Sequence, residues 1–172
     1  LADLMTVMEK KGALKGLKLA YTGDGNNVAN SLLIGCAKVG MNITAATPKG
    51  YECDEKAVRL AEAAAIETGA VVATTGNPFE AVKDADVVYT DTWVSMGMEA
   101  EKEQRTKIFA PYRVNAKLME AAKTDAIFMH CLPAYRGFEV TADIIDGPQS
   151  VVFDEAENRL HAQKAVLVKL LG

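Results

Sequence analysis

Four clusters in this sequence carry side chains able to do chemistry, and each follows an apolar run. His130-Cys131-Leu132-Pro133 closes the run Ile127 to Met129. An accessible thiolate at Cys131 would be a nucleophile or a base near neutral pH, although the commoner fate of a free cysteine is a small buried residue. Pro133 forces Leu132 into an extended conformation and keeps any helix from continuing the run. Asp91-Thr92-Trp93-Val94-Ser95-Met96-Gly97 follows Val87 to Thr90. A carboxylate at the rim of a core needs a cation or donors, so Asp91 suits an ammonium group, or else caps the next turn. Ser95 adds a hydroxyl there, and Gly97 lets the backbone turn. Gly23-Asp24-Gly25-Asn26-Asn27 follows Leu17 to Tyr21. One of its asparagines is expected to cap the following helix, leaving the other free to hold a carboxylate with the helix's positive end. In Asp154-Glu155-Ala156-Glu157-Asn158-Arg159, the arginine either pairs with its acidic neighbours or turns its planar fork to a phosphate or carbonyl oxygen. The residues leave both open.

These clusters need a scaffold that brings them together. Leu1, Leu4, Met5 and Met8 form one stripe of an amphipathic helix ending near Gly12. Strands are expected at Leu17 to Tyr21, Asn42 to Thr47, Val71 to Thr74, Val87 to Thr90, Ile127 to Met129 and Ser150 to Phe153. Between and after them the patterns predict helices at Val28 to Val39, Asp54 to Glu67 with Asp54 as N-cap, Phe79 to Lys83, Glu99 to Phe109, Asn115 to Ala122 and Asn158 to Leu171. The charge run Glu101, Lys102, Glu103, Arg105 and Lys107 reads as a solvated helix face. Apolar strands without period-two alternation, alternating with helices, predict an α/β fold: a Rossmann-like three-layer parallel sheet with helices on both faces. With no repeat and no low-complexity linker, residues 1–172 are expected to form a single domain. In such a sheet all the loops at the strands' C-terminal ends share one edge. Asn27, Asp91, Cys131 and Arg159 are therefore expected to meet at one pocket.

Composition narrows the function classes. At 172 residues the chain can bury about 70% of the surface its unfolded form exposes. With 49% hydrophobic and 24% charged residues it matches a globular domain, and a net charge of −4 offers nucleic acid no basic footprint. No apolar run is long enough to cross a bilayer, and no signal peptide opens the chain. Three widely spaced cysteines, with no Cys-x-x-Cys, point to a reducing cytoplasm. Two histidines in all, with His130 beside Cys131 as the sole clustered ligands, argue against zinc. Gly23-x-Gly25 is half of a dinucleotide fingerprint, but Val28 holds the third glycine position and no acid closes the second strand. No cofactor is expected.

Taken in order, the four clusters resemble the aspartate/ornithine carbamoyltransferases, and the Ser95-Met96-Gly97 and His130-Cys131-Leu132-Pro133 motifs are similar to those of the ornithine enzymes. The resemblance runs the length of the chain but covers the family's ornithine-binding half only; the carbamoyl-phosphate domain with its Ser-x-Arg-Thr loop has no counterpart here. It implies L-ornithine and carbamoyl phosphate as substrates, citrulline and phosphate as products, a place in arginine metabolism, and the carbamoyl-phosphate domain of a homo-oligomeric enzyme as partner. It further implies that Asn27 binds the ornithine carboxylate, that Asp91 and Ser95 take its α-ammonium, and that Met96 gives main-chain contacts. Cys131 and Leu132 would line the junction with carbamoyl phosphate, and Arg159 would reach the carbamoyl oxygen, leaving His130 a supporting part. Cys131, Asp91 and Arg159 are the expected catalytic set, with Cys131 as base if its thiolate is accessible. Without the carbamoyl-phosphate domain the chain is expected to be inactive. One competing reading is a stand-alone, non-catalytic amino-acid-binding or interaction module; another is that the apolar faces of the two terminal helices mark an exposed interface that would favour self-association.

Overall fold

The inner strands send alternate side chains into two buried layers, and that alternation explains the architecture. The computed structural model spans Leu1–Gly172 and describes every residue except Ser95, Met96 and Met98. The elements run α1 (Ala2–Lys11), β1 (Lys18–Thr22), α2 (Asn27–Lys38), β2 (Asn42–Ala46), α3 (Glu55–Thr68), β3 (Val72–Thr75), α4 (Pro78–Val82) and β4 (Val87–Thr90). Then come α5 (Lys102–Phe109), α6 (Ala116–Met119), β5 (Ile127–Met129), α7 (Ala142–Ile145) and α8 (Val152–Leu171). The strands form one five-stranded sheet in the order β3-β2-β1-β4-β5, every pair parallel. Leu19, Tyr21, Ile43, Ala45, Val87, Tyr89 and Met129 pack on one face with α2 and α3. Ala20, Ala46, Val88 and Phe128 face the other, against α4, α6 and α7. The three-layer Rossmann-like reading therefore holds.

Side-chain caps fix the starts of α2, α3, α4 and α6, the expected Asp54 among them. Asp54 accepts from the amides of Lys56 and Ala57, Asn77 from Phe79 and Glu80, and Asn115 from Leu118. Each satisfies donors that the first turn leaves orphaned. Gly12 closes α1 at φ 74°, a left-handed conformation that suits glycine.

Three expectations fail, and one helix was not foreseen. Ser150 to Phe153 is not a strand: Ser150 makes one isolated bridge to Phe128, and α8 already begins at Val152. Three apolar residues are too few to tell a strand from the first turn of a helix. The short helix α7 had no signal strong enough to be read. Leu132 is not extended: its φ is 56°, with a cis bond to Pro133, and its amide donates to Nδ1 of His130 at 2.9 Å, which turns the chain back on itself. Arg105 does not lie on a solvated face: it is 3% exposed, ion-paired with Asp24, donates Nε–H to the Trp93 carbonyl, and stacks over Tyr51 and Phe109. Its planar guanidinium stacks on rings while bonding at its edge, which a lysine would not do.

Among the described residues no helix is long and apolar enough to cross a membrane.

Candidate functional site

Sheet order places the site. The winding direction reverses between β1 and β4, so the loops leaving these strands part and open a crevice at their C-terminal ends. Asn26 ends the first loop and caps α2, its Oδ1 accepting from the amides of Val28 (2.9 Å) and Ala29 (3.2 Å). Its Nδ2 donates to Asp91 Oδ2 at 2.8 Å, across the crevice. Cys131, arriving from β5, donates its thiol hydrogen to Asp91 Oδ1 at 3.3 Å. Asp91 therefore joins three loops, and it is 8% exposed. The division of labour between the two asparagines follows: Asn26 is the cap, and Asn27, the first residue of α2, is exposed.

Asn27, Cys131 and Arg159 line one cavity of about 600 Å³ together with Tyr89, Ser31 and Asp3. Leu132 lies on a neighbouring hollow that Cys131 and Arg159 also line. Arg159 comes from the second turn of α8 rather than from a loop, because the expected last strand is helix. Among the described residues it makes no ion pair with the acids before it. The structure thus brings Asn27, Cys131, Leu132 and Arg159 to two adjoining hollows, whereas Asp91, expected at the same pocket, lines neither and joins the group through Cys131 and Asn26. Ser95 and Met96 lie outside the described residues.

The electrostatics change what Cys131 can do. Burial, then the neighbouring Asp91 carboxylate, pushes its thiol up to about 12. The accessible thiolate on which a basic role depended is therefore not present near neutrality; Cys131 is a hydrogen-bond donor. Alkylation of Cys131 by iodoacetamide is accordingly expected to accelerate about tenfold per pH unit up to pH 10 with no plateau. Mass spectrometry of the labelled peptide over that range checks it, and a plateau below pH 9 would contradict it.

His130 is fully buried, with Nδ1 accepting from the Leu132 amide and Nε2 3.3 Å from Glu139 Oε1, out of line for a good hydrogen bond. It braces the turn that carries Cys131. Asp91, His130 and Cys131 each place a potential ligand atom within 4.8 Å of the others. Nδ1 of His130 is already engaged by the Leu132 amide, Asp91 accepts from Asn26 and Cys131, and the cysteine keeps its proton, so the three do not present a ready metal seat.

Two groups that line the cavity, Asp3 and Tyr89, and one buried in contact with Tyr89, Glu155, escaped sequence reading. Glu155 is fully buried, its Oε1 accepting from the Tyr89 hydroxyl (2.9 Å) and its Oε2 from the His130 amide (3.0 Å). Burial, then hydrogen-bond contact with Asp3, raises its carboxyl to about 8. The only available sequence signal was that Glu155 precedes Arg159 by one helical turn. A carboxyl raised by folding stabilises the fold while protonated, so its contribution is complete below about 4.5 and disappears as pH rises through about 8. Glu155→Gln should flatten that decline. Between pH 5 and pH 9 the wild-type melting temperature should fall about 5 °C further than the variant's, measured by circular dichroism; parallel curves would contradict it.

Comparison with known proteins places this geometry. The family described as "Aspartate/ornithine carbamoyltransferase, Asp/Orn binding domain" matches residues 15–170. The chain is 63% identical over 168 residues to an ornithine carbamoyltransferase of Caldicellulosiruptor saccharolyticus, covering 98% of this chain and 54% of the relative. It is 61% identical over 172 residues to that of Pyrococcus abyssi, covering 100% of this chain and 54% of the relative. The solved ornithine carbamoyltransferase of Pyrococcus furiosus superposes with a TM-score of 0.93 at 60% identity, over 96% of this chain and 53% of that one. The chain thus spans about half the length of the curated relatives it matches.

Proposed function

Because the chain belongs to the aspartate/ornithine carbamoyltransferase family, through its Asp/Orn-binding domain, we propose that it forms the ornithine-binding half of a carbamoyltransferase, folding as one domain over residues 1–172. L-Ornithine lies in the crevice, its carboxylate at Asn27 and the start of α2, its α-ammonium at Asp91 and Ser95, with main-chain contacts from Met96. Cys131 and Leu132 face the carbamoyl phosphate, and Arg159 reaches the carbamoyl oxygen. The enzyme is completed by a carbamoyl-phosphate domain within a homo-oligomer, in the cytoplasm, where three unpaired cysteines are stable. The observation that carries this reading is the meeting of Asn26, Asp91 and Cys131 beside the cavity that Asn27 and Arg159 line.

The reaction is attack of the side-chain amine on the carbamoyl carbon, with phosphate leaving and citrulline formed. An alkyl ammonium with a pKa of about 10.4 holds its proton near neutrality, and freeing the lone pair costs roughly 4 kcal/mol. Asp91 and the α2 terminus hold one end of the substrate so that its other end is directed past Cys131, and orientation of this kind supplies much of the acceleration. Arg159 stabilises charge that develops on the carbamoyl oxygen. Most cations for the phosphate belong to the other half. The chain alone is therefore expected to bind L-ornithine weakly by calorimetry and to form no measurable citrulline from ornithine and carbamoyl phosphate. Citrulline formation at a rate like that of a complete enzyme would refute the division of labour. Tight ornithine binding by the chain alone would favour a stand-alone binding module.

A further inference from the structure

We propose that Glu155 is a positioning residue: it sets the rotation of α8 about its own axis, so that Arg159 is presented to the cavity beside Cys131. The inference rests on the reading that Arg159 reaches the carbamoyl oxygen, and it names what holds that arginine in place. Glu155 is fully buried, and its two oxygens bond to the ends of two different strands. Oε1 accepts from the Tyr89 hydroxyl at 2.9 Å, and Oε2 accepts from the His130 amide at 3.0 Å. Tyr89 lies on β4 just before Asp91, and His130 immediately precedes Cys131 after β5. One carboxyl group therefore ties α8 to both strands that deliver these side chains. Glu155 and Arg159 are one turn apart on α8, so they share a face at a spacing of about 6 Å along the axis.

Little else fixes this helix. Of its 20 residues only Val152, Glu155 and Asn158 are buried, and no side chain caps its start. Asn158 is the second polar anchor: its Nδ2 donates to Thr6 Oγ1 at 3.0 Å and to Glu9 Oε2 at 2.7 Å, both on α1. Asn158 thus holds α8 to α1, while Glu155 holds it to the sheet. Apolar burial is non-directional and hydrogen bonds are directional, so these bonds rather than the packing of Val152 choose the rotation. A turn of about 20° would carry the outer end of a side chain roughly 2 Å, enough to break a hydrogen bond from Arg159 to a ligand.

The test uses the chain itself, titrated at pH 7 by NMR chemical shift with L-norvaline and with L-citrulline, which is the same skeleton carrying a carbamoylamino group. Wild type should bind citrulline tighter than norvaline by about tenfold or more, and Arg159→Ala should lose that preference. Glu155→Leu fills the space but accepts no hydrogen bond. It should bind norvaline as wild type does and citrulline no better than norvaline. Glu155→Gln keeps an acceptor for the His130 amide and offers its NH₂ to the Tyr89 oxygen, so it should retain the wild-type preference, a rescue that charge alone would not give. A preference retained in Glu155→Leu, or lost in Glu155→Gln as fully as in Glu155→Leu, overturns the proposal. Should Glu155→Leu no longer bind norvaline, Glu155→Asp decides, because its carboxylate is one methylene shorter and cannot span both donors. A preference kept there overturns the proposal, and one lost at wild-type norvaline affinity supports it. The underlying reading fails separately: if wild type binds neither amino acid, or Arg159→Ala keeps the preference, that reading falls and takes this proposal with it.

Discussion

Asp91→Asn should raise the Kd for L-ornithine at least 100-fold while leaving the fold intact. The substitution keeps the shape and one oxygen, but it removes the charge meant for the α-ammonium and sets an amide NH₂ against a neighbouring donor. Asp91 now accepts from both Asn26 Nδ2 and Cys131 Sγ, so whichever way the new amide turns, one of these donors loses its acceptor. A hundredfold loss corresponds to about 2.7 kcal/mol, within the range for a charge-assisted contact at a site that is 8% exposed. A second readout needs no ligand. Asp91 helps hold the Cys131 thiol up, so the variant should alkylate at Cys131 faster at pH 8 than wild type. Calorimetry and timed labelling report the two effects; ornithine affinity within threefold of wild type would remove Asp91 from the binding site.

Gly25→Ala should be among the most destabilising single methyl additions in the chain. A Cβ at Gly25 would lie 2.3 Å from the Glu52 carbonyl carbon and 2.4 Å from the Cys53 nitrogen. Both are backbone atoms, so no side chain can swing aside. The Gly25 amide also donates to the Tyr51 carbonyl at 2.9 Å, and Asn30 Oδ1 accepts from the Asp54 amide beside it. Forcing the two segments apart therefore strains the loop that carries Asn26 and Asn27 as well as the start of α3. A cost of about 3 kcal/mol or more is expected, a fall of roughly 10 °C in melting temperature for a domain of this size. Gly76→Ala, where a Cβ meets nothing within 4 Å, should change stability by less than about 0.5 kcal/mol. Equal melting temperatures for the two variants would show that the contact relaxes.

Gly25 also separates two kinds of sequence signal. Read along the chain, Gly23-x-Gly25 resembled half of a dinucleotide fingerprint. In the fold, its glycine serves a close backbone approach to residues 52 and 53, and Asn26 takes the helix start. The residue type was legible, but the partner that required it was not.

What the sequence determined by itself is local. Apolar runs located five strands, an asparagine and an aspartate marked the starts of α2 and α3, and turn residues at strand ends marked loops with polar side chains, because these preferences act within a few residues of chain. The motifs also carried the family resemblance, and a right-handed parallel sheet brings the loops after β1, β4 and β5 to one edge, so Asn27, Asp91 and Cys131 lie near one another there, while Arg159 reaches the cavity from α8. Tertiary structure decided the rest. It chose Asn26 over Asn27 as cap, buried Arg105 against two rings with Asp24 as its partner, turned the last expected strand into the start of α8, and seated Glu155 against Tyr89 and the His130 amide. The Asn26–Asp91, Arg105–Asp24 and Glu155–Tyr89 contacts each join groups more than sixty residues apart, which meet only once the chain has folded. Burial is also what kept Cys131 a thiol, a property that no pattern of neighbours along the chain encodes.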